Sequence, residues 1–352
     1  MKKKVLPLLL ILFCGNLLAQ TNTPARPKLV VGIILDQMRW DYLYRYHDRY
    51  ATDGGFKRLL NQGASCENTF IPYTPTVTAC GHASVYTGSV PSINGITGNA
   101  WWDQDKQATV YCTDDKSVRT VGSENTSGMM SPRNLLTTTI GDELRMATQF
   151  KAKVVGVALK DRGAILPAGH SANAAYWYDN KTGNWVTSTY YRNELPEWVK
   201  QYNAQKRPDA FYKLGWQTMY PATTYTASTV DEKPYENPLF GTKLPYDLNS
   251  FIGKDYSKIL TTPHGNTLTF EFAKKALIAD SLGKDGITDL LAVSFSSPDY
   301  IGHSFGPNSV EAEDGFLRID RELGEFLRFL DKEVGANQYT IFLSADHGAA
   351  PV

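Results

Sequence analysis

The sequence runs to 352 residues with 36 basic and 36 acidic side chains, 42% hydrophobic and 20% charged residues, enough for one large or two modest domains around a sizeable core. The balanced charge, with no basic stripe and no aromatic-plus-basic patch, excludes the counterion-release term that drives binding to a phosphate backbone, and with it a nucleic-acid partner. Histidines number only six, so their positions are informative.

The N-terminus opens on Lys2-Lys3-Lys4, continues apolar from Val5 to Phe13 and ends in Leu17-Leu18-Ala19-Gln20. These are the charged, apolar and small-residue regions of a secretory leader. Residues 1–19 are read as a signal peptide cleaved after Ala19, and the chain as periplasmic or secreted. A membrane anchor is the competing reading, but the apolar run falls short of the roughly 20 residues a span requires, so no stable membrane insertion is expected after cleavage. A lipid anchor at Cys14 is disfavoured because Phe13 is too bulky for the usual processing site. Losing the leader removes three lysines and turns a formal charge of zero into −3.

A Pro-containing linker, Thr21 to Pro27, leads to the first strand, Lys28 to Leu35, and then to Asp36. Phe56, Leu59 and Leu60, closed by Gly63, read as a helix; Thr78 stands where a loop enters a helix ending near Gly88. Leu136, Ile140 and Leu144, at four-residue spacing, predict another helix, and Lys153 to Leu159 a strand. From about Gly163 to Pro263 the rhythm breaks into an interval rich in Tyr and Trp, including Tyr176, Trp177, Tyr178, Trp185 and Trp216. Residues 163–263 are read as an inserted cap whose aromatics build its own small core rather than a wall for substrate. The flanking parts, 20–162 and 264–352, form one catalytic domain. There a helix capped by Asn266 or Thr267 runs through Ile278, a strand covers Leu290 to Phe295, and Phe316, Ile319, Leu323, Phe326, Leu327 and Leu330 mark one face of a long helix ended by Gly335. A last strand, Tyr339 to Leu343, leads to Asp346. The alternation predicts an α/β fold with a mostly parallel central sheet and helices on both faces.

With Cys14 in the leader, Cys66, Cys80 and Cys112 remain, an odd count that leaves at least one free thiol in an exported chain. Cys66 and Cys112 are the pair suited to a disulfide, since Cys80 falls inside the helix after Thr78; three buried free cysteines are the alternative.

Three strands end on metal-ligand residue types: Asp36 after the first, Asp299 with His303 after Leu290–Phe295, and Asp346-His347 after the last. Open α/β sheets place their sites at the carboxyl ends of strands. Singly, the aspartates read as helix caps and the histidines as satisfied core residues; jointly, they point to an ester-cleaving site built on two cations about 4 Å apart. Aspartate and histidine suit zinc. Thr78 is the candidate nucleophile, at the positive end of a helix dipole where an anion is favoured, and its weakly acidic hydroxyl needs a metal as activator. Thr76 competes for that role, and helix capping by Thr78 is the structural alternative.

Asp36, the segment Pro75-Thr76-Val77-Thr78-Ala79-Cys80-Gly81-His82, Gly88-Ser89-Val90-Pro91-Ser92-Ile93-Asn94-Gly95-Ile96, Asp299-Tyr300-Ile301-Gly302-His303 and Ala345-Asp346-His347-Gly348 together resemble the alkaline phosphatase superfamily. Gly98-Asn99 and Leu159-Lys160-Asp161-Arg162 narrow the resemblance to its phosphate-irrepressible, threonine-using (PafA-like) alkaline phosphatases. It spans most of the chain after the leader. It implies an α/β fold of that type, phosphate monoester hydrolysis of small phosphorylated substrates through a phosphothreonine, and two zinc ions. One zinc would take Asp36, Asp346, His347 and the Thr78 hydroxyl, the other Asp299 and His303. The resemblance gives Asn99, Lys160 and Arg162 the non-transferred phosphoryl oxygens. Chemistry supports this, because a monoester keeps two negative charges there, which fixed cations and an amide donor stabilise. A diester's second substituent would collide with a buried Lys and Arg or leave them unpaired; a solvent-exposed surface pair is the structural alternative.

Sulfatases of the superfamily use a Cys-x-Pro-x-Arg type motif absent here. Zinc phosphodiesterases of the nucleotide pyrophosphatase type share the threonine and metal clusters without the Lys-x-Arg pair, and stand as the nearest alternative. The family's second zinc takes a further histidine well beyond the Asp-His pair, and this sequence stops at Val352. The chain is therefore expected to be incomplete, with an under-ligated second site. If it truly ends there, a non-catalytic metal- or phosphate-binding protein is the other reading.

Overall fold

In the computed structural model, residues 26–237 and 239–350 are described; the leader read over 1–19 and its cleavage after Ala19 lie outside them. The strands are β1 (Leu29–Leu35), β2 (Ala100–Asp103), β3 (Ala108–Tyr111), β4 (Thr120–Val121), β5 (Val154–Ala158), β6 (Ala174–Asp179), β7 (Asn184–Ser188), β8 (Asp289–Phe295) and β9 (Tyr339–Ser344). The helices are α1 (Tyr42–Arg45), α2 (Gly55–Gln62), α3 (Thr78–Thr87), α4 (Pro91–Asn94), α5 (Ile140–Ala147), α6 (Asp161–Ala168), α7 (Glu197–Ala204), α8 (Arg207–Leu214), α9 (His264–Ala279), α10 (Ser297–Phe305) and α11 (Val310–Leu330).

The near-continuous apolar sequence of β1 marks a strand covered on both faces, the mark of a parallel sheet. It pairs in parallel with β8 on one side and β9 on the other, within a seven-stranded sheet ordered β4-β7-β6-β5-β8-β1-β9. Only the β4-β7-β6 edge is antiparallel. Successive side chains leave a strand on opposite faces, and here the two faces differ in size. Val31, Ile33, Val155, Val157, Val293 and Phe295 pack under α9 and α11, each large apolar side chain contributing roughly 1.5–3 kcal/mol by burial. Gly32, Gly156, Ala158, Ala292 and Ser294 face α3 and α6, letting those helices sit close. A Cβ on Gly32 would lie 2.1 Å from the Tyr86 hydroxyl, and one on Gly81 would lie 2.3 Å from the Asp346 carbonyl oxygen. Both glycines therefore hold the Thr78 helix against the ends of β1 and β9.

Several local expectations are corrected. β6 and β7, inside the interval 163–263 expected to be inserted, are strands of the central sheet. Their aromatics do not build a separate core: Trp185 stacks on Phe272 of α9 at 4.0 Å and joins the principal core. A residue periodicity shows apolar faces but not which partner they meet. The helix expected from Leu136 begins at Ile140, where Thr139 makes a capping box with Asp142, and Leu136 is exposed. α9 starts at His264 rather than after Asn266 or Thr267. Cys66 is exposed and Cys112 buried, so the expected bridge does not form; all three described cysteines are free, and only two are buried.

Candidate active site

Asp36 is the first residue past β1, its N–H still donating to the Phe295 carbonyl at 3.1 Å. The next residue, Gln37, has φ of 65°, a left-handed conformation uncommon outside glycine and a mark of local strain. That turn aims its backbone N–H at Asp346 Oδ1 (3.1 Å) and its side-chain amide at Asp299 Oδ1 (2.8 Å). Gln37 thereby fixes two carboxylates that arrive from distant parts of the chain. Sequence reasoning missed it; the nearest signal was Gly302, where a Cβ would lie 2.0 Å from Gln37 Oε1.

Thr78 is buried as the first residue of α3, and Val77, not Thr78, occupies the cap position. Its Oγ lies 3.2 Å from Lys160 Nζ and 3.5 Å from Asp36 Oδ1. The competing Thr76 is exposed at the rim of the same cleft. Asn99 Oδ1 accepts the Ala79 N–H at 2.9 Å, satisfying one orphan donor of the helix start and leaving the Asn99 NH2 to be offered to the cleft.

Asp346 accepts from the Gln37 and His347 backbones through Oδ1, while its buried Oδ2 has no donor. His82 Nδ1 approaches Oδ2 to 3.1 Å, but that nitrogen donates to the Thr78 carbonyl at 2.8 Å, and Nε2 meets Ser294 Oγ at 2.7 Å. His82, one turn after Thr78, is a second group without a role in the sequence reading. Burial pushes the Asp346 carboxyl up, but the nearness of His82, His347 and Lys160 outweighs it and lowers its pKa to about 2. His347 donates from Nδ1 to the Gly348 carbonyl, which leaves Nε2 turned to the acids, 3.3 Å from Asp36 Oδ1. Burial works against its proton, yet Asp36 and Asp346 raise its pKa to about 9.

Asp299 and His303 lie one turn apart on α10, 3.2 Å between Oδ1 and Nε2; His303 stands at the rim with 70% of its side chain exposed. Lys160, the cap residue of α6, sends its buried ammonium onto Asp36 (2.7 Å) and Asp299 (2.6 Å). It therefore meets the carboxylates rather than lining the cleft. Arg162 does line it, steadied by Tyr111, whose hydroxyl accepts from Nη1 at 2.9 Å and donates to Asp161 at 2.9 Å. The cleft measures about 440 Å³ and presents Thr78, Asn99, Arg162, Asp299, His303 and His347 on one concave surface.

The donor set fits a cation. Asp36, Asp346 and His347 offer ligand atoms within 4.8 Å of one another, Asp346 Oδ2 is buried without a donor, and the mixture of carboxylate and imidazole is one zinc accepts. Asp299 and His303 form a second, two-residue set beside it.

A family model described as type I phosphodiesterase / nucleotide pyrophosphatase matches residues 30–352. The chain is 55% identical to alkaline phosphatase PhoV of Synechococcus elongatus over 367 residues, covering 100% of this chain and 66% of that protein. It is 52% identical to alkaline phosphatase PafA of Elizabethkingia meningoseptica over 355 residues, covering 99% and 64%. The crystal structure of wild-type PafA superposes with a TM-score of 0.91 at 51% identity, covering 93% of this chain and 64% of that one. The chain thus spans somewhat under two thirds of the length of these relatives.

Proposed function

Because the chain belongs to the type I phosphodiesterase / nucleotide pyrophosphatase family, we propose that it is an exported, zinc-dependent phosphate monoester hydrolase acting through a phosphothreonine at Thr78. The observation that carries the reading is the buried Thr78 hydroxyl, set at a helix start beside Asp36 and facing Arg162 and Asn99 in one cleft. The 52–55% identity to proteins named alkaline phosphatases supports it.

One zinc would be held by Asp36, Asp346, His347 and Thr78, the other by Asp299 and His303. Bound there, the ions would supply Lewis acidity, lowering the pKa of the Thr78 hydroxyl and neutralising charge on the ester. The chain's own groups do the positioning. Arg162 and the Asn99 amide take the non-bridging phosphoryl oxygens, where charge stays concentrated in a loose transition state. Thr78 Oγ forms the new P–O bond as the bond to the alcohol breaks, and water then cleaves the phosphothreonine to inorganic phosphate and free Thr78. Gln37 keeps Asp299 and Asp346 in register through both steps. Small phosphorylated esters are the substrates in this reading. Export rests on the leader read over residues 1–19; among the described residues no helix is long and apolar enough to cross a membrane.

A phosphodiesterase is the second reading, favoured by the position of Lys160, whose ammonium lies on Asp36 and Asp299 and leaves Arg162 as the side-chain cation lining the cleft. The test is the ratio of catalytic efficiencies for an aryl phosphate monoester and its methyl diester, measured on zinc-loaded full-length gene product. A strong monoester preference is expected; a diester preference transfers the assignment to the second reading.

A further inference from the structure

Thr78 opens α3 and Asp346 follows β9, so chain order does not tie the nucleophile of the proposed reaction to the carboxylate beside it. The tie is made by the turn of α3 that follows Thr78. A Cβ on Gly81 would collide with the carbonyl oxygen and the Cβ of Asp346, so the helix backbone rests directly on that residue. The next side chain, His82, is fully buried and has a partner at each ring nitrogen. Nδ1 lies 2.8 Å from the Thr78 carbonyl oxygen and 3.1 Å from Asp346 Oδ2, and Nε2 lies 2.7 Å from Ser294 Oγ on β8. A carbonyl only accepts, so Nδ1 carries a proton, and the Ser294 hydroxyl can donate to Nε2 and hold the ring in that tautomer. Asp346 Oδ2 still has no hydrogen-bond donor, because the Nδ1 proton is directed at Thr78. The ring therefore sets the separation of Thr78 and Asp346 without taking the lone pair that a cation would use.

We propose that His82 is a positioning residue that locks Thr78 to Asp346, keeping the Thr78 hydroxyl within reach of the cation that Asp36, Asp346 and His347 would hold. The inference rests on the reading above of Asp346 as a zinc ligand and Thr78 as the nucleophile. The Nδ1 edge of the ring meets both of those residues. Ser294 backs the other edge from the middle of the parallel sheet, where its strand neighbours are Ile34 and Ala158. Groups that orient metal ligands change metal affinity or activity by about 10–100-fold when they are lost. A histidine that only filled the core would act through its volume instead. The two roles separate experimentally: Asn sets its amide nitrogen where Nδ1 lies and Gln where Nε2 lies, yet Gln is the closer to histidine in size.

Zinc affinity is measured by chelator competition on the full-length gene product carrying His303→Ala, so that the Asp36, Asp346 and His347 set is read by itself. Adding His82→Gln is expected to weaken zinc there by about 10–100-fold. With His303 intact and zinc saturating, His82→Gln should lower kcat for an aryl phosphate by about tenfold and leave KM within about twofold, since Arg162 and Asn99 are untouched. His82→Asn, though smaller, should recover most of the lost zinc affinity. Ser294→Ala frees the ring without removing it; it should weaken zinc by about fivefold, and it carries the test if the histidine variants do not fold. Unchanged zinc affinity in His82→Gln or in Ser294→Ala overturns the proposal. So does weaker binding by His82→Asn than by His82→Gln, the order that volume dictates. The zinc assay contains no substrate, which keeps the two readings apart: a reference protein that binds no zinc sinks the proposed function along with this inference, whereas equal binding by the reference and His82→Gln sinks the inference alone.

Discussion

Two groups of acids bracket α10 and behave in opposite ways. At its start, Asp36, Asp299 and Asp346 lie among Lys160, His82, His303 and His347. Burial opposes their charge there, but the basic partners win, so Asp299 and Asp346 titrate below their ordinary range. Past its end, burial outweighs the backbone and tyrosine hydrogen bonds that reach Asp231, Glu236 and Glu311, and their pKa values rise. Burial is common to both, so burial alone says nothing about what a carboxylate does. The partners decide: Asp299 and Asp346 are held as anions, whereas Asp231, Glu236 and Glu311 are left favouring their protons.

The sharpest way to break the comparison is at Thr78. Thr78→Ala should lower monoester turnover by about 10³-fold or more; retained zinc-dependent phosphate release would remove Thr78 from the chemistry. Next in size is Arg162→Ala, expected to cost about 10²-fold in monoester efficiency by losing a transition-state cation. Tyr111→Phe acts on Arg162 only through position and should cost about tenfold, seen by the same steady-state assay.

The pH dependence of stability tests the contrast itself, because the two groups carry opposite signs. The Asp346 pKa is lowered in the fold, so its contribution is complete above about pH 4 and is lost as pH falls towards 2. The Glu311 pKa is raised from its ordinary 4.5 to about 7, so the folded chain holds the extra proton; its contribution is complete below pH 4.5 and is lost as pH rises through 7. This is a loss of about 3 kcal/mol at most, read from urea midpoints between pH 4.5 and 7.5. Glu311→Gln should flatten that window and leave the acid limb intact. The smallest effect is expected at Cys66, exposed and unbridged: Cys66→Ser should change stability by no more than about 0.5 kcal/mol, and reductant should not move the melting temperature.

Most of the first group was legible from residue order, and none of the second. Asp36, Asp299 and Asp346 each follow an apolar run, and Thr78 opens a helix closed by Gly88, whose φ of 65° is left-handed. Strand ends and helix starts are set by neighbours in sequence, so pattern reaches them. Gln37 escaped because its role depends on a strained φ and on carboxylates 262 and 309 residues away. The Asp231, Glu236 and Glu311 group escaped because a loop meets a helix start through Tyr246 and Glu311, 65 residues apart.

By itself the sequence determined the alternation of strands and helices, the ligand types at strand ends and the threonine at a helix start, since periodicity, turn chemistry and apolar runs act within a few residues. Only the tertiary structure decided that β6 and β7 extend the central sheet, that Cys66 and Cys112 stay apart, and that Lys160 reaches Asp36 and Asp299. Each of those depends on which distant segments the packing of α3, α6, α9 and α11 against the sheet brings together, and long-range contact leaves no local pattern to read.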